Sequence, residues 1–206
     1  MIRARIIVFA IAASVTSLVL AGRAPALAAG PEDSVQSFHE TLLGAMKEGP
    51  RLGGSGRYAR IEPVIHRLFD MRLMARLAIG GSWASLSPGQ QQLVTAAFGA
   101  YIAATYADRF DSYSGETLQI TGEQRSTTGT VITTEIVKSN GEPVHLNYLL
   151  RQNAGIWQIV DVYLNGTISQ LATHRSEFSS ILRTQGIGGL IVMLNTKADA
   201  LAARAS

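Results

Sequence analysis

The sequence predicts an α+β domain: helices packed on one face of a curved four-stranded antiparallel sheet, a conical, pocket-bearing fold. Three observations predict it. Apolar residues recur at helical spacing up to about residue 110 and again after 166, and at every second position between. The strand-like segments are joined by short turns, Thr127-Thr128-Gly129, Ser139-Asn140-Gly141 and Asn153-Ala154-Gly155. Connections that short make antiparallel neighbours, because parallel ones need long crossovers.

The 206 residues, 47% hydrophobic and 16% charged, suit one domain with a sizeable core. The start of the chain is expected to stand apart from it. Met1-Ile2-Arg3-Ala4-Arg5 is basic, residues 6–21 are apolar, and Ala26-Leu27-Ala28 is an A-x-A pattern. Residues 1–28 therefore read as a signal peptide cleaved before Ala29, leaving 29–206 as a single domain in the periplasm. A retained anchor is the rival reading, but the apolar run is short for a span and is interrupted by Ser14, Thr16 and Ser17. Arg3, Arg5 and Arg23 leave with the signal, so 15 of the 18 basic residues remain against 15 acidic ones. Nucleic-acid binding by bulk charge loses its main support. The absence of cysteine excludes disulfides, thiolate zinc sites and cysteine nucleophiles, so the domain must be held by packing.

The first helix is expected over 34–47, with Val35, Phe38, Leu42 and Ala45 on one face and Gly49-Pro50 as its stop. A flexible loop, 51–56, should come next. Ile61, Ile65 and Leu68 mark a second amphipathic segment, and Asp70 caps a short helix that Gly80-Gly81 closes. Ser87-Pro88-Gly89-Gln90 is the clearest helix start: serine at the N-cap, proline at the first turn and glutamine positioned for a capping box. That helix should reach about Phe110 and be covered on several sides, because it is apolar around much of its girth. Strands are expected from Thr117, over 131–138, over 144–151 and over 156–164. Two helices, 169–183 and 187–203, should close the chain.

Catalytic groupings are sparse. His39-Glu40 opens like a zinc-protease helix, but Leu43 stands where the second histidine is required. His66, His145 and His174 are linked by no spacing and read as surface or strand-face residues. There is no G-x-S-x-G elbow, and Gly53-Gly54-Ser55-Gly56 lacks a Walker lysine. One enzymatic reading remains: Asp161, with Tyr148 or His145 on the preceding strand, could run proton transfer in a small conical domain. Against it stands a structural Asp161 bonded to nearby backbone. Nothing calls for a metal or cofactor. The six arginines between Arg51 and Arg76 read either as a solvated helix face or as a contact for anionic headgroups or an acidic partner.

The last strand and the C-terminal helices carry a resemblance. Trp157-Gln158-Ile159-Val160-Asp161-Val162, then Asn165-Gly166-Thr167-Ile168-Ser169, resembles a signature of the MlaC family, periplasmic phospholipid-binding auxiliaries of an ABC transporter. The likeness continues through Arg175, Phe178, Ile181, Leu182 and Arg183 to Gly186-Ile187 and Gly189-Leu190-Ile191. Upstream, Phe69-Asp70, Met74-Ala75, Gly81, Trp83, Gln91, Phe98 and Thr105-Tyr106-Ala107 look like the same family's helical half. A finer match, Gly54-Ser55-Gly56-Arg57-Tyr58 with Ile61-Glu62-Pro63, resembles its hopanoid-associated HpnM branch.

The resemblance implies a carrier, not an enzyme, that shuttles phospholipid or hopanoid between an inner-membrane transport complex and the outer membrane. An envelope adaptor without cargo is the alternative. Burying a methylene is worth roughly 0.8 kcal/mol, so a two-chain lipid exposing about 30 of them crosses water only inside a carrier. The apolar strand face supplies candidate tail contacts: Leu118, Ile120, Val144, Leu146, Tyr148, Val160 and Val162. The helices add Leu73, Leu77, Phe98, Tyr101, Ile102 and Tyr106, each equally suited to ordinary core packing. Arg72, Arg76 and Arg175 are candidates for headgroup or partner contact. Release is expected to hinge at Gly80-Gly81 or Gly166.

Overall fold

In the computed structural model, which describes residues 30–204, the order is α1 (Pro31–Lys47), α2 (Gly49–Leu68), α3 (Met71–Ile79), a 3-10 helix (Gly80–Ser85), α4 (Pro88–Arg109), β1 (Thr117–Ser126), β2 (Gly129–Val137), β3 (Pro143–Asn153), β4 (Ile156–Leu164), β5 (Ile168–Ser169) and α5 (Gln170–Ala202). The expected signal peptide lies outside the described residues. The fold is α+β, with the strands forming an antiparallel sheet in the order β1-β2-β3-β4-β5. The sheet is five-stranded instead of four because the segment after Asn165-Gly166 turns back and pairs Ile168 and Ser169 with Leu164 and Tyr163.

Local chemistry sets the helix ends as expected in two places. The Ser87 hydroxyl accepts from Gln90 N at 3.2 Å, and Gln90 Oε1 accepts from Ser87 N at 2.9 Å, a complete capping box. Asp70 Oδ1 accepts from Leu73 N at 2.9 Å at the start of α3.

One expectation fails just after the Gly49-Pro50 stop. Gly49-Pro50 ends α1 but also begins α2, where a proline in the first turn costs no hydrogen bond. The expected loop 51–56 is helical, broken only at Gly53 with φ of 61°. Gly54 explains why that segment is ordered: a Cβ there would sit 2.2 Å from the Arg204 carbonyl oxygen, so only glycine lets α2 lie against the end of α5. The two expected C-terminal helices are two arms of α5, broken at Gly186 with φ of 65°.

The helices cover one sheet face. Phe38, Leu42, Ile61, Ile65 and Phe98 interlock with Ile132, Tyr148, Leu150, Ile159 and Val162 in a continuous core. Rings dominate its centre: Phe38 meets Phe69, Tyr106 and Tyr148 edge-on at 5.1, 4.9 and 6.1 Å. The joint between α2 and α3 is tied to β4, with Asp70 N donating to Ile159 O at 3.0 Å.

Along β4, expected to place Val160 and Val162 on the same apolar face, the register is interrupted. Leu149 pairs with Asp161 and Leu150 with Ile159, so Val160 is the extra residue of a β-bulge. The bulge puts Ile159 rather than Val160 in the core; Val160 is buried but outside that cluster.

Candidate functional site

A cavity of about 380 Å³ lies between the C-terminal half of α4, the start of α5 and the adjoining end of the sheet. Its floor is apolar. Val144 and Leu146 come from β3, Val162 and Leu164 from β4, and Ile136 from β2. The helical wall is Tyr101, Ile102, Thr105 and Tyr106 of α4 with Leu171 and His174 of α5. Phe69, Met74 and Met46 close the remaining side. The rim is polar: Arg109, Asp111, Ser112, Glu116, Lys138 and Gln170.

The rim charges differ in their engagement. Lys138 Nζ is 3.0 Å from Glu142, and Glu116 accepts from Ser114 N at 2.6 Å. Arg109, exposed in the last turn of α4, meets no carboxylate among the described residues. Its charge suits that helix end, where carbonyls point outward.

Of the sequence-derived tail contacts, Tyr101, Ile102, Tyr106, Val144, Leu146 and Val162 line this cavity. Phe98 and Tyr148 are fully buried in the core away from it, and Val160 sits at the bulge. Leu118 and Ile120 pack on the core margin from β1; Leu73 is half-buried and Leu77 exposed on α3. Arg72 and Arg76 are exposed on α3, and Arg72 lies over the Trp83 ring at 5.9 Å. Arg175 lines a separate concavity.

Asp161 reaches the cavity wall, but its carboxylate is engaged. Oδ1 accepts from Val162 N at 2.8 Å and Leu171 N at 3.0 Å, and Oδ2 accepts from the Ser169 hydroxyl at 2.6 Å. The Tyr148 hydroxyl, buried without a partner among the described residues, does not bond it, and His145 instead faces Glu135 at 3.5 Å. The proton-transfer grouping is not assembled.

Sequence reasoning passed over several lining residues. Ile136 and Leu164 extend the alternation already read, since Ile136 pairs with Val144 and Leu164 comes two residues after Val162. Met46, Met74 and Phe69 gave no signal beyond ordinary core. His174, expected at the surface, packs against Phe98, Tyr101 and Phe178 at 5.3, 5.8 and 5.6 Å. Burial lowers its pKa, partly opposed by Glu177.

The basic stretch resolves into separate contacts. Arg57 is buried and donates to Ala107 O at 2.8 Å, Arg60 pairs with Glu48 at 2.6 Å, and Arg67 donates to Ser37 at 3.3 Å. Much of it clamps helices together.

The MlaC protein family matches residues 36–196, most of the chain. The chain belongs to the MlaC family. Its fold agrees with a solved MlaC-like structure, a phospholipid-binding protein from Ralstonia solanacearum in complex with a phospholipid, at a TM-score of 0.70 and 23% identity. That likeness covers 84% of this chain and 99% of the other. The MlaC signature residues now acquire a physical role. Trp157 lends its carbonyl to Ser34 of α1 at 3.0 Å, Asp161 ties β4 to α5, and Ser169 caps α5 by accepting from Ala172 N at 2.9 Å. The signature builds the corner that places Leu171 and His174 on the cavity wall. Among the described residues no helix is long and apolar enough to cross a membrane, and no acidic or histidine cluster could hold a metal.

Proposed function

We propose that this MlaC-family chain is a periplasmic lipid carrier that holds acyl or polycyclic tails in the cavity between α4, α5 and the sheet, with the headgroup at the rim. The observation that carries this reading is the cavity itself: an apolar floor and walls meeting one polar rim, where Arg109 has no carboxylate partner among the described residues. Family membership and the phospholipid held by the Ralstonia protein support it. Residues 1–28 act as the cleaved signal peptide, and the mature chain receives or delivers cargo at an inner-membrane transport complex and the outer membrane.

Phospholipid and hopanoid are both within the reading. About 380 Å³ is near the lower end for small-molecule pockets, roughly 300–1,000 Å³, so two full acyl chains need the walls to part. A rigid polycyclic skeleton needs less movement, and the aromatic lining residues Tyr101, Tyr106, Phe69 and Phe110 suit it. The motif resembling the HpnM branch docks α2 on the end of α5, with Ser55 donating to Ala202 O at 3.3 Å; it has no contact with the cavity.

Native mass spectrometry of protein purified without detergent, with lipid extraction from the same sample, tests the carrier. A stoichiometric phospholipid or hopanoid supports it and names the cargo. A clean apo mass, with no uptake from vesicles loaded with either lipid, overturns it in favour of an adaptor.

A further inference from the structure

Further along α5, Arg175, Ser179, Leu182 and Arg183 fall at i, i+4, i+7 and i+8, one face of the helix. Facing them are Ile79 and the Gly80-Gly81-Ser82 turn that ends α3. Together they border a second, more open concavity of about 380 Å³ that shares no residue with the first.

Its walls carry hydrogen-bond donors. Neither Arg175 nor Arg183 has a carboxylate or other acceptor among the described residues. The nearest acid on the helix, Glu177, is turned away to His174, 3.6 Å from its Nδ1. The Ser82 hydroxyl is likewise unengaged among them, while Ser179 donates to Arg175 O at 2.7 Å and keeps its lone pairs. The position of Arg175 is built. Gly80 adopts φ of 67°, which requires glycine for the turn, and the Arg175 guanidinium packs against it, 3.3–3.5 Å from where a Cβ would be. The carbonyl end of α3 favours a cation there without neutralising it.

We propose that this concavity is a phosphate-binding site, in which Arg175 and Arg183 grip a phosphate mono- or diester and Ser82 donates to it. Guanidinium forks match phosphate oxygens, and two on the lining of one hollow give an anion two such forks to meet. The space exceeds a bare phosphate and admits an ester substituent. The source is either a lipid headgroup at a membrane surface or a soluble phosphate. The site is independent of what fills the main cavity.

The test tracks the arginine Nε resonances of the purified protein during titration with inorganic phosphate and with glycerol 3-phosphate. Arg175→Gln, Arg183→Gln and the double variant are compared with Arg51→Gln/Arg125→Gln, which removes the same charge elsewhere. All the substituted side chains are exposed, and circular dichroism checks the fold. Saturable shifts at Arg175 and Arg183, with affinity falling about tenfold per single substitution and not in the control, are expected. Flotation with phosphatidylglycerol vesicles then separates the sources. Flotation lost in the double variant assigns a membrane headgroup; flotation retained while phosphate binding is lost assigns a soluble ester. Shifts that do not saturate, or affinity unchanged in the double variant, overturn the site. So does loss of flotation without saturable phosphate binding.

Discussion

The Ser169 hydroxyl donates to Asp161 Oδ2 at 2.6 Å while its oxygen accepts from Ala172 N at 2.9 Å, so one side chain joins the last long strand to the first turn of α5. Asp161 completes the corner through Leu171 N at 3.0 Å. A carboxylate bonded this way is worth more than a neutral acceptor, because each bond is charge-assisted. Asp161→Ala should cost about 3 kcal/mol and Ser169→Ala about 1 kcal/mol in urea unfolding. Their double-mutant cycle should show coupling of about 1 kcal/mol. Additive losses would mean that the two residues act separately.

His39 makes a pH-dependent contribution. Burial holds its pKa down to about 4, and both ring nitrogens lack partners among the described residues, in the core beside Tyr148. The unfolded chain binds the proton near pH 6.5, the folded one only near 4. Stability is therefore full above about pH 6.5 and falls as pH drops towards 4, by roughly 3 kcal/mol from this residue. His39→Leu should flatten the stability profile across that window. An equal slope in the variant would place the acid sensitivity elsewhere.

Filling the main cavity should remove cargo without unfolding the protein. Val144 is half-buried at its edge, so Val144→Trp can occupy space with little strain. Val192→Trp, at a residue 65% exposed on α5, is the control. Native mass spectrometry should show at least several-fold less bound lipid in the first variant and no change in the second. Equal lipid in both would place the cargo outside this cavity.

Gly54→Ala should loosen the end of α5. The added methyl would stand 2.2 Å from Arg204 O and 2.5 Å from Ala202 O, both backbone atoms that cannot turn aside. A loss of about 2 kcal/mol is expected, with faster proteolysis near residues 200–204. Unchanged proteolysis would show that α2 can yield instead.

The helix starts at Asp70 and Ser87 were legible because each is a local hydrogen-bond arrangement written in adjacent residues. The sheet was legible from alternation until Val160, where a bulge depends on how two strands pair and not on either one alone. Gly49-Pro50 marked the end of α1 but hid the start of α2, because stop and start signals use the same residues when two helices meet head to tail. Within the site, the strand residues Val144, Leu146 and Val162 were readable from their period, and Tyr101, Ile102 and Tyr106 from their helix. Met46, Phe69 and His174 were not. Their place on the wall comes from the packing of helices distant in sequence, which leaves no local pattern.

The cavity draws its surfaces from α1 and α4, from the middle strands, and from Leu171 and His174 at the beginning of α5. A partial chain that stops at β4 lacks the part of its wall that Gln170, Leu171 and His174 supply. During synthesis and any passage through a membrane pore, the strands and the first helices therefore emerge with their apolar faces open to whatever is present. The cavity wall is completed only with the Asp161–Leu171 junction, a late event in chain order. On the carrier reading proposed above, the complete lipid site exists only where α5 has docked.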